Sequence, residues 1–165
     1  MTTTTTLRVG NLMTVDPVVI DGEASAHEAG LLLKTYRITG LPVVQAGEVV
    51  GVISQTDLLN ARSSELIGAN WDRVKVRHLM SQPAVTVHLA TTVRRAARLM
   101  LDEHIHRVVV VDADGAPIGV LSTSDLLRVL LPDEDGEEPL PGPSRRLPPL
   151  TGRTPPGGTR PARAR

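Results

Sequence analysis

Residues 51–59 read Gly-Val-Ile-Ser-Gln-Thr-Asp-Leu-Leu, and residues 119–127 read Gly-Val-Leu-Ser-Thr-Ser-Asp-Leu-Leu, so one motif occurs twice. Two further anchors repeat with it, 13–19 matching 80–85 and 41–44 matching 108–111. The copies are offset by about 67 residues, and self-similarity at a fixed period indicates a duplicated structural unit. The part of the chain before residue 132 is therefore predicted to hold two copies of one small fold.

Each copy is predicted to run strand, helix, strand, turn, strand, helix, which gives an α/β fold of the α+β kind. Strands are predicted at 18–20, 42–44 and 49–53 and at 85–87, 108–111 and 118–121, with hairpin turns at Ala46-Gly47 and 113–115. Ser25 followed by Glu28 predicts a capped helix, and a second helix is predicted from Thr92. The inward residues are predicted to be Ala29, Leu32, Leu33 and Tyr36, and Ala96, Ala97, Leu99 and Met100. Each copy should close with a short helix after Asp57 or Asp125.

The composition excludes several classes of protein. The chain has 165 residues, 18 basic and 18 acidic side chains and no Cys, which excludes disulfide scaffolds, Cys-ligated zinc, iron–sulfur clusters and thiol catalysis. Zero net charge argues against a duplex-binding domain. No apolar run approaches the roughly 20 residues that span a bilayer, and the Thr run within Met1–Gly10 lacks the order of a signal peptide. We therefore expect a cytoplasmic protein.

The chain is predicted to divide into a first repeat at 8–62, a linker at 63–75, a second repeat at 76–131 and a tail at 132–165. Trp71 in the linker is expected to cover the seam between the repeats. The tail begins with an acidic cluster and continues with Pro, Gly and Arg, so we predict disorder with local polyproline II structure. Its six arginines could contact nucleic acid or another anionic partner, but the composition favours an inert solubilising tail.

The repeated Ser-x-x-Asp has two interpretations, which are compatible. In the structural one, Ser54 and Ser122 cap helices, and Asp57 and Asp125 favour the positive helix end, at about 1 kcal/mol per cap. In the functional one, the carboxylate accepts both hydroxyls of a ribose while the helix start meets phosphate. Duplication of the motif at the same architectural place favours the functional interpretation.

Over residues 8–131 the sequence resembles the tandem CBS module, or Bateman module, a regulatory pair of cystathionine β-synthase-type domains. The resemblance is carried by Met-Thr-x-x-Pro-Val at 13–18, Gly-Leu-Pro-Val-Val at 40–44, Gly-Val-Ile-Ser-x-x-Asp at 51–57 and their counterparts. It implies two β-α-β-β-α repeats related by a pseudo-twofold axis, packed as one stand-alone module with two clefts. It also implies a homodimer that binds AMP, ADP, ATP or S-adenosylmethionine as a regulatory ligand, with no required cofactor.

The resemblance assigns Asp125 as the ribose clamp of one cleft. The residues 106–110 resemble the His-Arg-apolar run of the AMP-sensing γ subunit of AMP-activated protein kinase, so His106 and Arg107 are expected to hold phosphate; the alternatives are a surface histidine and a solvated strand edge. A guanidinium fork suits phosphate. The other expected members of this cleft are Ser122, Ser124, Val120, Thr14, Val19, Ile38 and Thr39.

The resemblance assigns Asp57 to the pseudo-twofold copy of that cleft. The other expected members are Ser54, Thr56, Val52, Gly40, Ser81, Val85, Ile105 and, across the axis, His106. Thr39-Gly40 stands where the other repeat has His106-Arg107, so this cleft is expected to lack a resident cation for phosphate. We therefore expect the Asp125 cleft to fill first with nucleotide, and loss of Asp57 to cost less affinity than loss of Asp125.

Catalysis is the weakest hypothesis for this sequence. The remaining histidines show no metal-ligand spacing, and we predict no metal site. A P-loop, a Gly-x-Ser-x-Gly elbow and a paired-carboxylate site are also absent from the sequence. The leading hypothesis is a regulatory module that senses adenine nucleotides, and hence energy state, and signals to an unknown protein partner. The alternatives are a ligand-independent dimerisation or scaffold module and nucleic-acid contact through the tail.

Overall fold

Two small sheets, each built on a β-hairpin, carry the two copies of the repeated motif. The structure, a computed structural model, describes residues 7–63 and 70–129, which fall within one compact unit. The strands are β1 (Thr14–Val15), β2 (Ile20–Asp21), β3 (Gly40–Gln45), β4 (Glu48–Ser54), β5 (Thr86–Val87), β6 (Arg107–Val111) and β7 (Pro117–Ser122). The α-helices are α1 (Ala26–Tyr36), α2 (Gln55–Ser63), α3 (Val93–Asp102) and α4 (Thr123–Arg128).

The predicted α+β class and element order are confirmed, with the additional strand β1 and with differences at the first strand and the closing helix of each repeat. The strands predicted at 18–20 and 85–87 are two residues long in the structure, at Ile20–Asp21 and Thr86–Val87, and the first is shifted by one residue. The closing helices begin before the aspartates, at Gln55 and Thr123, because the serine ahead of each helix occupies the cap position.

Backbone angles confirm the first predicted hairpin turn, and hydrogen bonds confirm the two predicted helix caps. Ala46 and Gly47 have φ angles of 51° and 87°, the left-handed pair that a tight two-residue hairpin requires. Ser25 Oγ accepts a hydrogen bond from the Glu28 amide at 3.1 Å, and Thr92 Oγ1 accepts one from the Arg95 amide at 3.2 Å. The predicted inner faces are buried at Ala29, Leu33, Ala96 and Met100 and partly buried at Leu32, Tyr36, Ala97 and Leu99.

The repeats exchange their first segments, so the sequence repeat and the packing unit differ. β1 from the first repeat pairs with β7 of the second, giving a sheet of order β1-β7-β6-β5 beside a sheet of order β2-β3-β4. Val9 is buried in the core of the second repeat, while Val76 is buried in the core of the first. Burial of an aliphatic side chain stabilises by about 1.5–3 kcal/mol, so these exchanged segments tie the two repeats together.

Several predictions fall at the edge of the described residues or beyond them. The prediction of a disordered tail at 132–165 concerns residues outside them, and residues 64–69 of the linker also lie outside. The ring of Trp71 faces the guanidinium of Arg62 in α2, 5.8 Å from centroid to Cζ, and so lies at the end of the first repeat. Among the helices of the described residues, none has the length and apolarity needed to cross a bilayer.

Candidate ligand-binding clefts

Each Ser-x-x-Asp motif forms the same closed hydrogen-bond ring where a strand enters a helix. Asp57 Oδ2 accepts hydrogen bonds from the Ser54 amide at 2.7 Å and from Ser54 Oγ at 2.6 Å. Asp125 Oδ2 accepts the same pair from Ser122 at 2.8 and 2.6 Å. In return, each serine Oγ accepts the aspartate amide, at 3.2 and 3.4 Å. The capping interpretation is thus confirmed, and it commits one oxygen of each carboxylate.

The second carboxylate oxygen distinguishes the two motifs. Asp125 Oδ1 accepts a hydrogen bond from Arg128 Nη1 at 3.2 Å, an ion pair one helical turn along α4. The corresponding position in the first repeat is Asn60, and no hydrogen bond from the described residues reaches Asp57 Oδ1. Both lone pairs of that oxygen therefore remain free to accept hydroxyl groups.

The exchanged segments form one wall beside each motif. Thr14 pairs with Val120 in the strand register, and Ser81 forms the equivalent bridge with Val52. Close crossing of these segments depends on glycine. A Cβ at Gly51 would lie 2.7 Å from Met80 Sδ and 2.8 Å from Ser81 O, and one at Gly119 would lie 3.1 Å from Thr14 O. The repeated glycine of the motif therefore makes room for the partner segment.

The Arg107 side chain reaches from the second repeat to the first. By register Arg107 lies opposite Ser122, but its Nη2 donates a hydrogen bond to Thr39 Oγ1. A Cβ built on Gly40 would lie 2.5 Å from Arg107 Nη1 and 2.9 Å from its Cζ. The guanidinium therefore occupies the space that a side chain at position 40 would fill.

Arg107 is a partly buried cation without an acidic partner in the described part of the chain. The ion pairs found there involve Arg77 with Glu23 and Arg128 with Asp125. Burial lowers the pKa of the Arg107 guanidinium, because removal from water disfavours the charged form. Desolvation also strengthens its attraction for an incoming anion.

This placement bears on the expectation that the Asp57 cleft lacks a cation, which was drawn from the residues Thr39-Gly40 alone. Gly40 carries no charge itself, but its missing side chain admits the guanidinium of Arg107 from the other repeat. The ranking of the Asp125 cleft first rested on the absence of a cation from the sequence of the first repeat at this position. Comparison of the two repeats position by position does not show this, because the guanidinium beside Gly40 comes from the other repeat.

The remaining expected site residues have diverse surroundings. His106 contributes its carbonyl, which accepts the Thr123 amide at 3.0 Å, as the Thr39 carbonyl accepts the Gln55 amide at 3.1 Å. Ile38 packs against the first core, and Ile105 and Val85 pack against the second. Three expected site residues are exposed, and no contact among the described residues assigns them to a ligand: Thr56, Ser124 and Val19.

Two features of the clefts were not anticipated from the sequence. The Asp125–Arg128 pair was visible in principle as an acid and a base three apart on a helix. The position of the Arg107 guanidinium had no such signal in the neighbouring sequence. Within residues 7–63 and 70–129, no group of three or more His, Asp or Glu side chains is arranged to hold a metal ion.

Comparison with known proteins identifies the repeats. The family model described as CBS domain matches residues 9–64 and 76–132. The crystal structure of CBSX2 from Arabidopsis thaliana in complex with AMP is 35% identical, with a TM-score of 0.66, over 75% of this chain and 96% of that one.

Two curated relatives are longer than the region that they share with this chain. The Methanopyrus kandleri protein MK0525 is 32% identical over 122 residues, which cover 73% of this chain and 61% of that protein. Inosine-5'-monophosphate dehydrogenase from Korarchaeum cryptofilum is 27% identical over 111 residues, which cover 67% of this chain and 22% of the enzyme. The match to the dehydrogenase thus involves only a small part of that enzyme.

Proposed function

Because the chain belongs to the CBS domain family and carries two CBS domains, we propose that it is a regulatory module for adenosine-containing ligands. AMP, ADP, ATP or S-adenosylmethionine would bind in the clefts beside Asp57 and Asp125, and binding would be signalled to a protein partner by conformational change. The observation that carries this proposal is the pair of partly buried Ser-x-x-Asp carboxylates together with the Arg107 guanidinium, which extends between the repeats and has no acidic partner among the described residues. The AMP complex of CBSX2 supports the ligand class.

The chemistry of each cleft suits the parts of a nucleotide. A carboxylate held by its serine keeps a fixed orientation, and its second oxygen accepts the ribose hydroxyls. The guanidinium of Arg107 donates to phosphate in two parallel hydrogen bonds, which a lysine ammonium does not provide. The strands that pair at Thr14–Val120 and Ser81–Val52 supply backbone and apolar surface for the base.

The same contacts provide a route for signalling. Arg107 bonds to Thr39 across the two repeats, so a phosphate that takes over the guanidinium changes the restraint between them. A ligand shifts the relative position of the repeats only by the difference in its affinity for the two arrangements. The Arg107–Thr39 contact is the element that would differ between them.

Thermal unfolding with and without AMP, ATP, S-adenosylmethionine and adenosine tests the proposal. A ligand that binds only the folded state at 100 times its Kd stabilises by about 2.7 kcal/mol, so the unfolding midpoint should rise. The matched control is Asp57→Ala combined with Asp125→Ala, which removes both ribose acceptors. Failure of all four compounds to shift the midpoint of the unmodified protein would contradict an adenosyl-binding role.

Ligand-independent dimerisation remains the second candidate function, because all four helices expose leucines. Leu31, Leu59, Leu101 and Leu127 are 51–74% exposed, and a groove of about 310 Å³ runs between α1 and α2. A homodimer through these helices would bury that surface. Sedimentation of Leu59→Glu against the unmodified protein tests it: a monomer in the variant alone supports the dimer, and equal masses contradict it.

We propose no catalytic activity for the chain, and the cytoplasm stays its predicted compartment. Nucleic-acid contact through the tail arginines stays the less favoured alternative, and those arginines lie outside the described residues. Removal of residues 132–165 should abolish such binding, which would weaken with salt.

A further inference from the structure

The two clefts are unequal, and we infer that the Asp57 cleft takes the phosphorylated adenosyl ligand, with Arg107 supplied from the second repeat into the space left by Gly40. One phosphorylated ligand then binds per module. This inference rests on the proposed function and specifies which cleft holds the nucleotide and which residues make it selective.

The first step is the position of the guanidinium relative to the Asp57 motif. Gly40 lies directly opposite Ser54 in the antiparallel register of β3 and β4. Side chains of directly opposite residues project from the same face, with Cβ atoms about 5 Å apart. Because the Arg107 guanidinium occupies the Cβ position of Gly40, it lies on the face that carries Ser54 Oγ, which is bonded to Asp57. The cation and the ribose acceptor therefore share one face of the first sheet.

The second step is the availability of the two carboxylates. Asp57 Oδ1 accepts no hydrogen bond from the described residues, whereas Asp125 Oδ1 is occupied by Arg128. A ribose entering the Asp125 cleft has to displace that pair, while one entering the Asp57 cleft does not. Arg128 is 59% exposed, so its pair is weak and adds only a small penalty.

The third step is charge. A phosphate group beside Asp57 would be repelled by the carboxylate unless a cation lies nearby, and a guanidinium on the same face provides it. Arg107 has no acidic partner among the described residues, so no existing ion pair must break when phosphate binds. In the Asp125 cleft the cation beside the carboxylate is Arg128, and it is already paired with Asp125 Oδ1. The Asp125 cleft is then left to an uncharged adenosyl compound.

Gly40→Ala is the sharpest test, because it moves the guanidinium without removing it. The new Cβ would meet only the far end of the flexible Arg107 side chain, so the fold should persist. We expect AMP affinity to fall about 10- to 100-fold, the value of one charge-assisted contact, while adenosine affinity stays within about twofold. The matched control is Gly30→Ala, whose Cβ would lie at an ordinary 3.8 Å from Leu58 Cδ1 and should leave both affinities unchanged.

Calorimetric titration of AMP and of adenosine into Gly40→Ala, Arg107→Ala and the double variant separates the possible outcomes. If Arg107 acts through the space at Gly40, the double variant loses no more AMP affinity than either single variant. Retained AMP affinity in Gly40→Ala, with or without a loss in Arg107→Ala, would overturn the inference. An additional loss in the double variant would also overturn it, since Gly40 would then act independently of Arg107. If AMP does not bind the unmodified protein while S-adenosylmethionine or adenosine does, the inference alone fails. If none of AMP, ATP, S-adenosylmethionine and adenosine binds, the proposed function itself fails.

Discussion

The two repeats share the ring that holds the aspartate and differ in what surrounds it. Asp57 and Asp125 accept the same serine amide and hydroxyl with distances that agree within 0.1 Å between the repeats, 2.7 against 2.8 Å and 2.6 Å in both. The first repeat has Gly40 and Asn60 where the second has Arg107 and Arg128. The hydrogen-bond ring is thus duplicated, but the charged residues around it are not.

This difference shows that a glycine can provide the space for a cation that comes from another part of the chain. In the sequence of its own repeat, Gly40 stands where the other repeat has a charged residue. In the folded module, the missing side chain of Gly40 leaves space for the guanidinium of Arg107. The exchange of β1 and of the segment around Ser81 brings the repeats close enough for this. The following predictions test whether the two halves differ as their surroundings imply.

The largest expected effect is on stability, at the two crossing glycines. Gly51→Ala should cost about 2–3 kcal/mol, because its Cβ would meet the backbone oxygen of Ser81 at 2.8 Å and the strands must separate. Gly119→Ala should cost less, since its backbone contact with Thr14 O is 3.1 Å and the Met13 side chain can move. Urea unfolding monitored by circular dichroism measures both. Equal losses would mean that the two crossings are equally tight.

Arg107→Met should separate ligand affinity from stability. We expect AMP affinity to fall about 10- to 100-fold, while the free energy of unfolding without ligand changes by less than about 1 kcal/mol. The reason is that methionine fills the same space without a desolvated charge, which offsets the lost hydrogen bond to Thr39. Calorimetry and urea unfolding of the same preparation give both values. A large loss of stability would instead indicate that Arg107 holds the repeats together.

The smallest expected effect concerns Asn60 and Arg128. Exchanging them, as Asn60→Arg with Arg128→Asn, moves the ion pair from Asp125 to Asp57. An exposed pair of this spacing is worth about 0.3–0.5 kcal/mol, so adenosine affinity should shift about twofold, downward at the Asp57 cleft and upward at the Asp125 cleft. Titrating adenosine into Asp125→Ala and Asp57→Ala versions of the exchanged protein reads each cleft separately. Shifts in the opposite directions would show that Arg128 assists ribose binding.

Much of the fold was predictable because its signals are local. The hairpin at Ala46-Gly47, the caps at Ser25 and Thr92 and the Ser-Asp rings follow from residue types at short spacing. The exchanged strands were not predictable. β1 and the bridge at Ser81 are too short for a periodic pattern, and their partners lie in the other repeat.

The site was predictable to the same extent. The identities of the aspartates, serines and Arg107 could be derived from the repeat and the family resemblance. The direction of the Arg107 side chain could not, because it depends on how the repeats pack and not on neighbours along the chain.

Parallel calorimetric titration of AMP into Asp57→Ala and Asp125→Ala compares the two clefts most directly. Both changes remove one carboxylate from an equivalent Ser-Asp ring and leave the serine cap in place, so each variant serves as the control for the other. Unequal clefts predict that Asp57→Ala loses AMP affinity about 10- to 100-fold, the worth of hydrogen bonds to a charged group, while Asp125→Ala stays within about threefold of the unmodified protein. Greater loss in Asp125→Ala, or equal loss in both variants, would contradict the placement of the nucleotide in the first cleft.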